Sequence, residues 1–168
     1  MKNYKILKWC HYAINFFPRI LTINDKKPIR RFEKFIEFTD SCRYEINEPS
    51  CVNKLFGFCF GLFGVHKNSA RFGWTYNKET NLIDIWKYVY VDGDLIKRPA
   101  GSVQIGKKCW FQIECWDFSE NEYRVVLRMN DMWVDSYWFK TKSHLLLTLG
   151  PYFGEHSRAP HRMHINLY

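Results

Sequence analysis

Long apolar runs are missing from this 168-residue chain. Nothing in it approaches the roughly 18–20 residues that a membrane-spanning helix needs, so a helical span is excluded. A clean secretory leader is missing too. Lys2, Lys5 and Lys8 imitate a basic n-region, but the stretch from Cys10 to Phe17 is broken by His11 and Asn15, ends at Pro18, and has no small-x-small site after it. Synthesis in a reducing cytoplasm is therefore expected, with Cys10, Cys42, Cys51, Cys59, Cys109 and Cys115 as free, mostly buried thiols. Cys42 and Cys51, which bracket a short polar segment, are the pair to form first under oxidant. No C-x-x-C occurs, which argues against a zinc cluster. A Gly-x-Ser-x-Gly elbow, an RNP motif, a zinc finger and a helix-turn-helix pattern are likewise absent, so nucleic acid is not an expected partner. Helical periodicity is scarce. Only Lys5–Phe17, with Ile6, Cys10, Ala13 and Phe17 on one side, suggests a short N-terminal helix.

What is present is aromatic and basic. The chain is 46% hydrophobic and 18% aromatic, with a formal charge of +8, which excludes a disordered polypeptide. Its length suits a single domain over residues 1–168, with 1–31 as an extension or first hairpin strand and 32–168 as the body. From Leu55 onward the dominant period is two. Ile83, Ile85, Val89 and Val91 share one face of a strand, with Asp84, Trp86, Tyr88 and Tyr90 on the other, and Asp92-Gly93 supplies a type I′ turn. Cys109, Phe111, Ile113 and Cys115 alternate with Trp110, Gln112, Glu114 and Trp116. Phe56, Phe58 and Phe60 oppose Gly57, Cys59 and Gly61, a small face that lets another layer or a ligand come close. Further strands are predicted at Ser69–Tyr76, Glu122–Asn130, Met132–Phe139, Leu145–Leu149 and Met163–Leu167. Arg19–Ile23 and Phe32–Phe38 flank a polar Asn24–Pro28 segment that suits a hairpin or long turn. About ten strands and almost no helix predict an all-β antiparallel jelly-roll sandwich.

Three constellations carry candidate chemistry. Trp74, Trp86, Tyr88, Tyr90, Trp110, Gln112, Glu114 and Trp116 read as an aromatic-polar face able to stack on sugars and bond their hydroxyls, or as rings packing a second layer. His66, Asn68 and Arg71 stand at a loop-to-strand junction, where they could grip a hydroxyl, carboxylate or sulfate, or simply brace the loop. The Glu155–His164 stretch holds three histidines. His161 and His164 would face opposite sides of a strand, so no metal or other cofactor is expected, and a Ser157–His156–Asp135 triad has no elbow behind it. The basic residues form short doublets (Lys26-Lys27, Arg30-Arg31, Lys107-Lys108) that would attract an anionic glycan as readily as a phosphate backbone.

Lys54–Phe58, His66–Trp74, Leu82–Tyr88 and the ending Leu149–Gly154, Ala159–His161 and Ile165–Leu167 resemble a family of small concanavalin A-like (LamG/jelly-roll) domains of Bacteroides-type bacteria and their phages. The resemblance covers residues 32–168 and carries no catalytic signature. Its fold-mates include lectins and alginate or heparin lyases. The jelly-roll lyases use a Gln-Ile-His triplet and a tyrosine near the final strand, and the nearest triplet here is Gln112-Ile113-Glu114, without the histidine. The expected function is thus a non-catalytic, lectin-like module that binds a glycan or protein surface through His66, Asn68, Arg71, Trp86, Tyr88, Gln112, Glu114, Trp116 and Tyr152. The rivals are a structural or decoration protein of a phage virion, partnered by viral proteins, and a polysaccharide-lyase-like enzyme.

Overall fold

In a computed structural model of the chain, residues 2–24, 29–45, 51–130 and 132–168 are described, Lys2 and Trp133 through their backbones only. Lys26-Lys27 and most of the predicted Asn24–Pro28 turn lie outside the described residues. The fold is an antiparallel β jelly roll of two six-stranded sheets. The back sheet runs in the order β1 (Lys2–Ile6), β12 (Met163–Leu167), β3 (Ile29–Phe38), β8 (Lys108–Ser119), β9 (Glu122–Met129) and β10 (Met132–Lys140). The front sheet runs β2 (Ile20–Thr22), β11 (Leu145–Leu149), β4 (Asn53–Phe60), β5 (Ser69–Asn77), β6 (Leu82–Val91) and β7 (Asp94–Gln104). No helix among the described residues is long and apolar enough to cross a membrane.

The alternating positions fill the space between the sheets. Phe56, Phe58 and Phe60 of β4 meet Phe111 of β8, Phe32 of β3 and Phe139 of β10, with centroids 5.1–6.5 Å apart. Ile83, Ile85, Val89, Cys109, Ile113 and Cys115 are buried beside them. Each such apolar side chain contributes about 1.5–3 kcal/mol on burial. Both residues of the Asp92-Gly93 turn have positive φ (51° and 97°), as a type I′ turn demands. All six cysteines are free, and five of them are buried.

Two expectations fail at the N-terminal end. The predicted helix over Lys5–Phe17 is β1 followed by turns. Pairing with β12 makes Tyr4 and Ile6 alternate into the core, and Trp9, at φ 64°, is incompatible with a right-handed helix. Of the hairpin or long turn expected around Asn24–Pro28, the hairpin is ruled out. β2 pairs with β11 in the front sheet, while β3 lies between β12 and β8 in the back sheet, so the connection crosses between layers.

A slip in β4 sets up everything that follows. Lys54 faces Gly73 of β5, but Gly57 faces Arg71, so the register shifts between them and Leu55 and Phe56 are both buried. Strict alternation would put Lys54 on the inward face with Phe56, Phe58 and Phe60. The bulge instead turns Lys54 out of the core. Gly57 permits the tight approach: a Cβ there would lie 2.0 Å from the carbonyl oxygen of Ala70 and 2.8 Å from Cα of Arg71.

Candidate functional site

A cleft of about 760 Å³ opens on the outer side of the front sheet. Its floor comes from Lys54 of β4, Ser69 and Arg71 of β5, and Tyr88 and Tyr90 of β6. One wall is Leu147–Tyr152 with Tyr12, Phe16 and Pro18 of the N-terminal segment, and Glu155, His156 and His66 stand at the other margins. The N-terminal segment is tied on by backbone bonds from Ala13 N to Pro151 O (3.3 Å), Phe153 N to His11 O (2.7 Å) and Trp9 N to Ala159 O (2.9 Å). Gly150 lets it lie flat, since a Cβ there would meet the Phe16 ring at 2.3 Å.

Arg71 is the deepest charge. It is 8% exposed, Nη2 donates to Gly150 O at 2.6 Å, and its buried Nε has no hydrogen-bond partner. Among the described residues no carboxylate forms an ion pair with it. Burial pulls its guanidinium down to about 10, still charged at neutral pH. A buried cation with an idle donor is costly unless an anion completes it.

Lys54 lies beside it. Nζ donates to Gly154 O (3.2 Å) and Glu155 Oε1 (3.3 Å), and stands 4.6 Å from the Tyr88 ring centroid and 5.8 Å from that of Tyr152. Burial lowers its pKa, with Glu155 opposing and nearby Arg71 adding to the fall. The Tyr88 hydroxyl donates to the same Glu155 oxygen at 3.1 Å, and burial raises that phenol. Tyr152 is held from several sides. Its backbone exchanges two bonds with Lys54, His11 stacks on it at 5.0 Å and 12°, and Tyr12 meets it edge-on at 4.8 Å. Its pKa is raised by burial. The cleft therefore combines an unpaired arginine, a lysine biased toward its neutral form and two protonated phenols.

The residues singled out from sequence scatter over four places. Arg71, Tyr88, Tyr152 and His66 line the cleft, His66 exposed and edge-on to Tyr90 at 5.3 Å. Trp86 lies on the same outer face of β6, its Nε1 donating to Thr75 Oγ1 at 2.9 Å, outside the cleft lining. Asn68 turns inward, and its Oδ1 accepts the Asp92 amide at 2.9 Å, bracing the β6–β7 hairpin. Gln112, Glu114 and Trp116 belong to β8 in the back sheet, so the single aromatic-polar face divides between opposite outsides of the sandwich. There Glu114 is saturated by Arg31 (2.8 Å) and Trp116 Nε1 (3.3 Å), and Gln112 by Glu33 (3.1 Å). Trp74 is core, 5.3 Å from Phe38. Asp135 is paired with Lys87 at 3.0 Å on β10, away from Ser157 and His156. The described residues contain no group of three metal ligands.

Lys54 and Glu155 escaped the sequence reading as site residues. The available signal was a charge at the head of an otherwise apolar strand, where a lysine needs a reason to be buried.

No protein-family model matches the chain, and no curated protein matches it. Solved structures do. Alginate lyase Aly36B superimposes with a TM-score of 0.69 at 14% identity, covering 98% of this chain and 77% of that one. A double variant of Aly36B with a lysine and a tyrosine changed to alanine, in complex with alginate tetrasaccharide, gives 0.67 over the same coverage. The marine PL-14 alginate lyase from Aplysia kurodai gives 0.53 at 12% identity, covering 98% of this chain and 80% of that one. At these identities the likeness establishes the jelly-roll fold. It also corrects the expected function: these structures with the same fold are lyases, so the non-catalytic lectin-like reading, built on a face that the fold divides, is withdrawn.

Proposed function

We propose that the chain is a polysaccharide lyase that cleaves an alginate-like, uronate-containing chain by β-elimination. The observation that carries this reading is the unpaired, buried Arg71 beside Lys54 in a tyrosine-lined cleft. Elimination next to a uronate carboxylate needs three things: neutralisation of that carboxylate, a base for the C5 proton, and an acid for the departing C4 oxygen.

Each has a residue. Arg71, in the cleft floor, sets its guanidinium charge against the carboxylate, an attraction that strengthens as negative charge spreads from C5 onto the carboxylate. Lys54, desolvated, supplies the amine lone pair that takes the C5 proton. The C5–H electrons become the C4=C5 double bond as the C4–O bond breaks, and the oxygen leaves with the proton of the Tyr152 hydroxyl. Solvent then resets Lys54 and Tyr152. The lysine and tyrosine altered in the alginate-bound Aly36B variant support this assignment by residue type. The same assignment of roles explains why the missing Gln-Ile-His triplet is no obstacle: Gln112 and Glu114 lie on the far sheet and the cleft carries a different base.

The test is the ultraviolet absorbance of the unsaturated product on incubation with alginate, heparin and polygalacturonate. Product from at least one, abolished in Lys54→Met and reduced at least about tenfold in Arg71→Met, is expected. Undiminished activity in Lys54→Met, or no product from any polyuronate, overturns the reading.

A further inference from the structure

The turn that carries Glu155 is fastened to the strand that carries Lys54. Gly154 N donates to Asn53 Oδ1 at 2.7 Å, and Glu155 N donates to Cys51 Sγ at 2.8 Å. Asn53 is fixed in turn, its Nδ2 donating to Tyr44 Oη at 2.6 Å. Gly154 has φ +71°, and a Cβ there would lie 2.0 Å from Ser157 O, so the turn closes tightly only with glycine. Two acceptors from this turn, Gly154 O and Glu155 Oε1, face Lys54 Nζ.

A neutral amine has two N–H bonds and one lone pair in tetrahedral array. When both N–H groups are held by the turn, the lone pair is what remains for the cleft. Building on the lyase reading, we propose that Glu155 is a positioning residue: with the Gly154 carbonyl it holds Lys54 so that the lone pair faces substrate, and its charge balances the ammonium formed when Lys54 takes the proton. Tyr88 serves the same arrangement, its hydroxyl fixing the oxygen that Lys54 uses.

The groups facing Lys54 from the surrounding elements are Glu155 on the turn, Tyr88 on β6, Arg71 on β5, Tyr152 beyond β11, and Cys51 just before β4. Glu155 is the one carboxylate among them. A negative charge in a cleft for polyanions repels substrate, so its presence there needs a compensating role, and orienting and balancing the base is that role.

Glu155→Gln keeps an acceptor oxygen and removes the charge, whereas Glu155→Ala removes both. The experiment follows Lys54 by 13Cε NMR titration of the whole, substrate-free protein and measures kcat and KM against pH on alginate or whichever polyuronate is cleaved. Glu155 favours the charged lysine, so Glu155→Gln is expected to move both the Lys54 titration and the acid limb of kcat/KM to lower pH, with plateau kcat within about threefold. Glu155→Ala is expected to lower plateau kcat roughly tenfold or more with KM within about twofold, a loss that glutamine largely rescues. An unmoved Lys54 titration in Glu155→Gln, or full kcat in Glu155→Ala, overturns the proposal. The titration needs no substrate. A chain that cleaves no polyuronate yet shows the shift fails the lyase reading and retains the Glu155–Lys54 coupling.

Discussion

Lys54 and Tyr152 face each other as antiparallel partners, each donating its backbone N–H to the other's carbonyl at 2.8 and 2.9 Å. The pair lies beyond the end of β11, where Gly150-Pro151 interrupts the ladder, and it brings the two side chains to one side of the sheet. The proposed base and acid are thereby set by main-chain geometry, the most rigid means a sheet offers.

On the lyase reading, Arg71 trades stability for function. Replacement by methionine removes an incompletely satisfied buried charge, so the thermal midpoint should hold or rise. The activity on a polyuronate should fall roughly 10–100-fold or more in kcat/KM, the value of a hydrogen bond between charged groups. Differential scanning fluorimetry and steady-state kinetics on the same preparation check both halves.

Lys54 gives a pH signature. Its folded pKa is below its unfolded value because burial disfavours the ammonium. The unfolded chain therefore binds this proton more tightly, and stability gained from this residue grows as pH rises from the folded value toward the ordinary lysine range. Lys54→Met should raise the melting temperature more at neutral pH than at strongly alkaline pH. Lys54→Arg, which keeps the charge but cannot deprotonate, should have no activity at any pH.

The bulge in β4 explains what was legible in the sequence and what was not. Alternation correctly sorted Ile83, Ile85 and Val89 from Tyr88, and Phe111 from Gln112, because side-chain period is local. It could not say that the outer faces of β6 and β8 point in opposite directions, which depends on which sheet each strand joins. Nor could it place Lys54, because one slipped residue reverses the face of every position before it. Arg71, Tyr88 and Tyr152, which line the cleft, are legible by residue type, Arg71 at a loop-to-strand junction and Tyr88 on the polar face of an alternating strand. Glu155 enters the cleft only through a turn fixed by Asn53 and Cys51, contacts across most of the chain.

Gly57 is the inexpensive way to test that bulge. Alanine there drives a Cβ against the Ala70 carbonyl and Arg71, so the strands must separate. Destabilisation of about 1–3 kcal/mol, the usual cost of overpacking, is expected in urea unfolding, with a larger fractional loss of activity because Arg71 shifts.

Lys87 points between the sheets to Asp135, which also accepts from Tyr137 Oη and the Ser136 amide. Burial pushes the Asp135 carboxyl up, but these bonds outweigh it and hold it below the usual range. Its stabilisation is complete above the unfolded value and is lost as pH falls through the folded one. The pair is partly open to solvent, so Asp135→Asn should cost about 1 kcal/mol at pH 7. That difference should shrink toward acid pH in a melting series.

Thiol reagents should separate the cysteines. Burial raises Cys42 to about 12 and Cys59 and Cys109 to about 11. Cys10 alone is partly exposed. Native protein should therefore consume close to one equivalent of an aromatic disulfide reagent quickly, the remainder only on unfolding, and Cys10→Ser should abolish the fast phase.

The pairing of β1 with β12, and of the segment around His11–Ala13 with Pro151–Phe153, has a temporal consequence. On a ribosome Lys54 emerges well before Gly154 and Glu155, which lie 100 and 101 residues further along. Until the later segment is made the cleft floor has no wall, and these closures between distant segments predict slow folding.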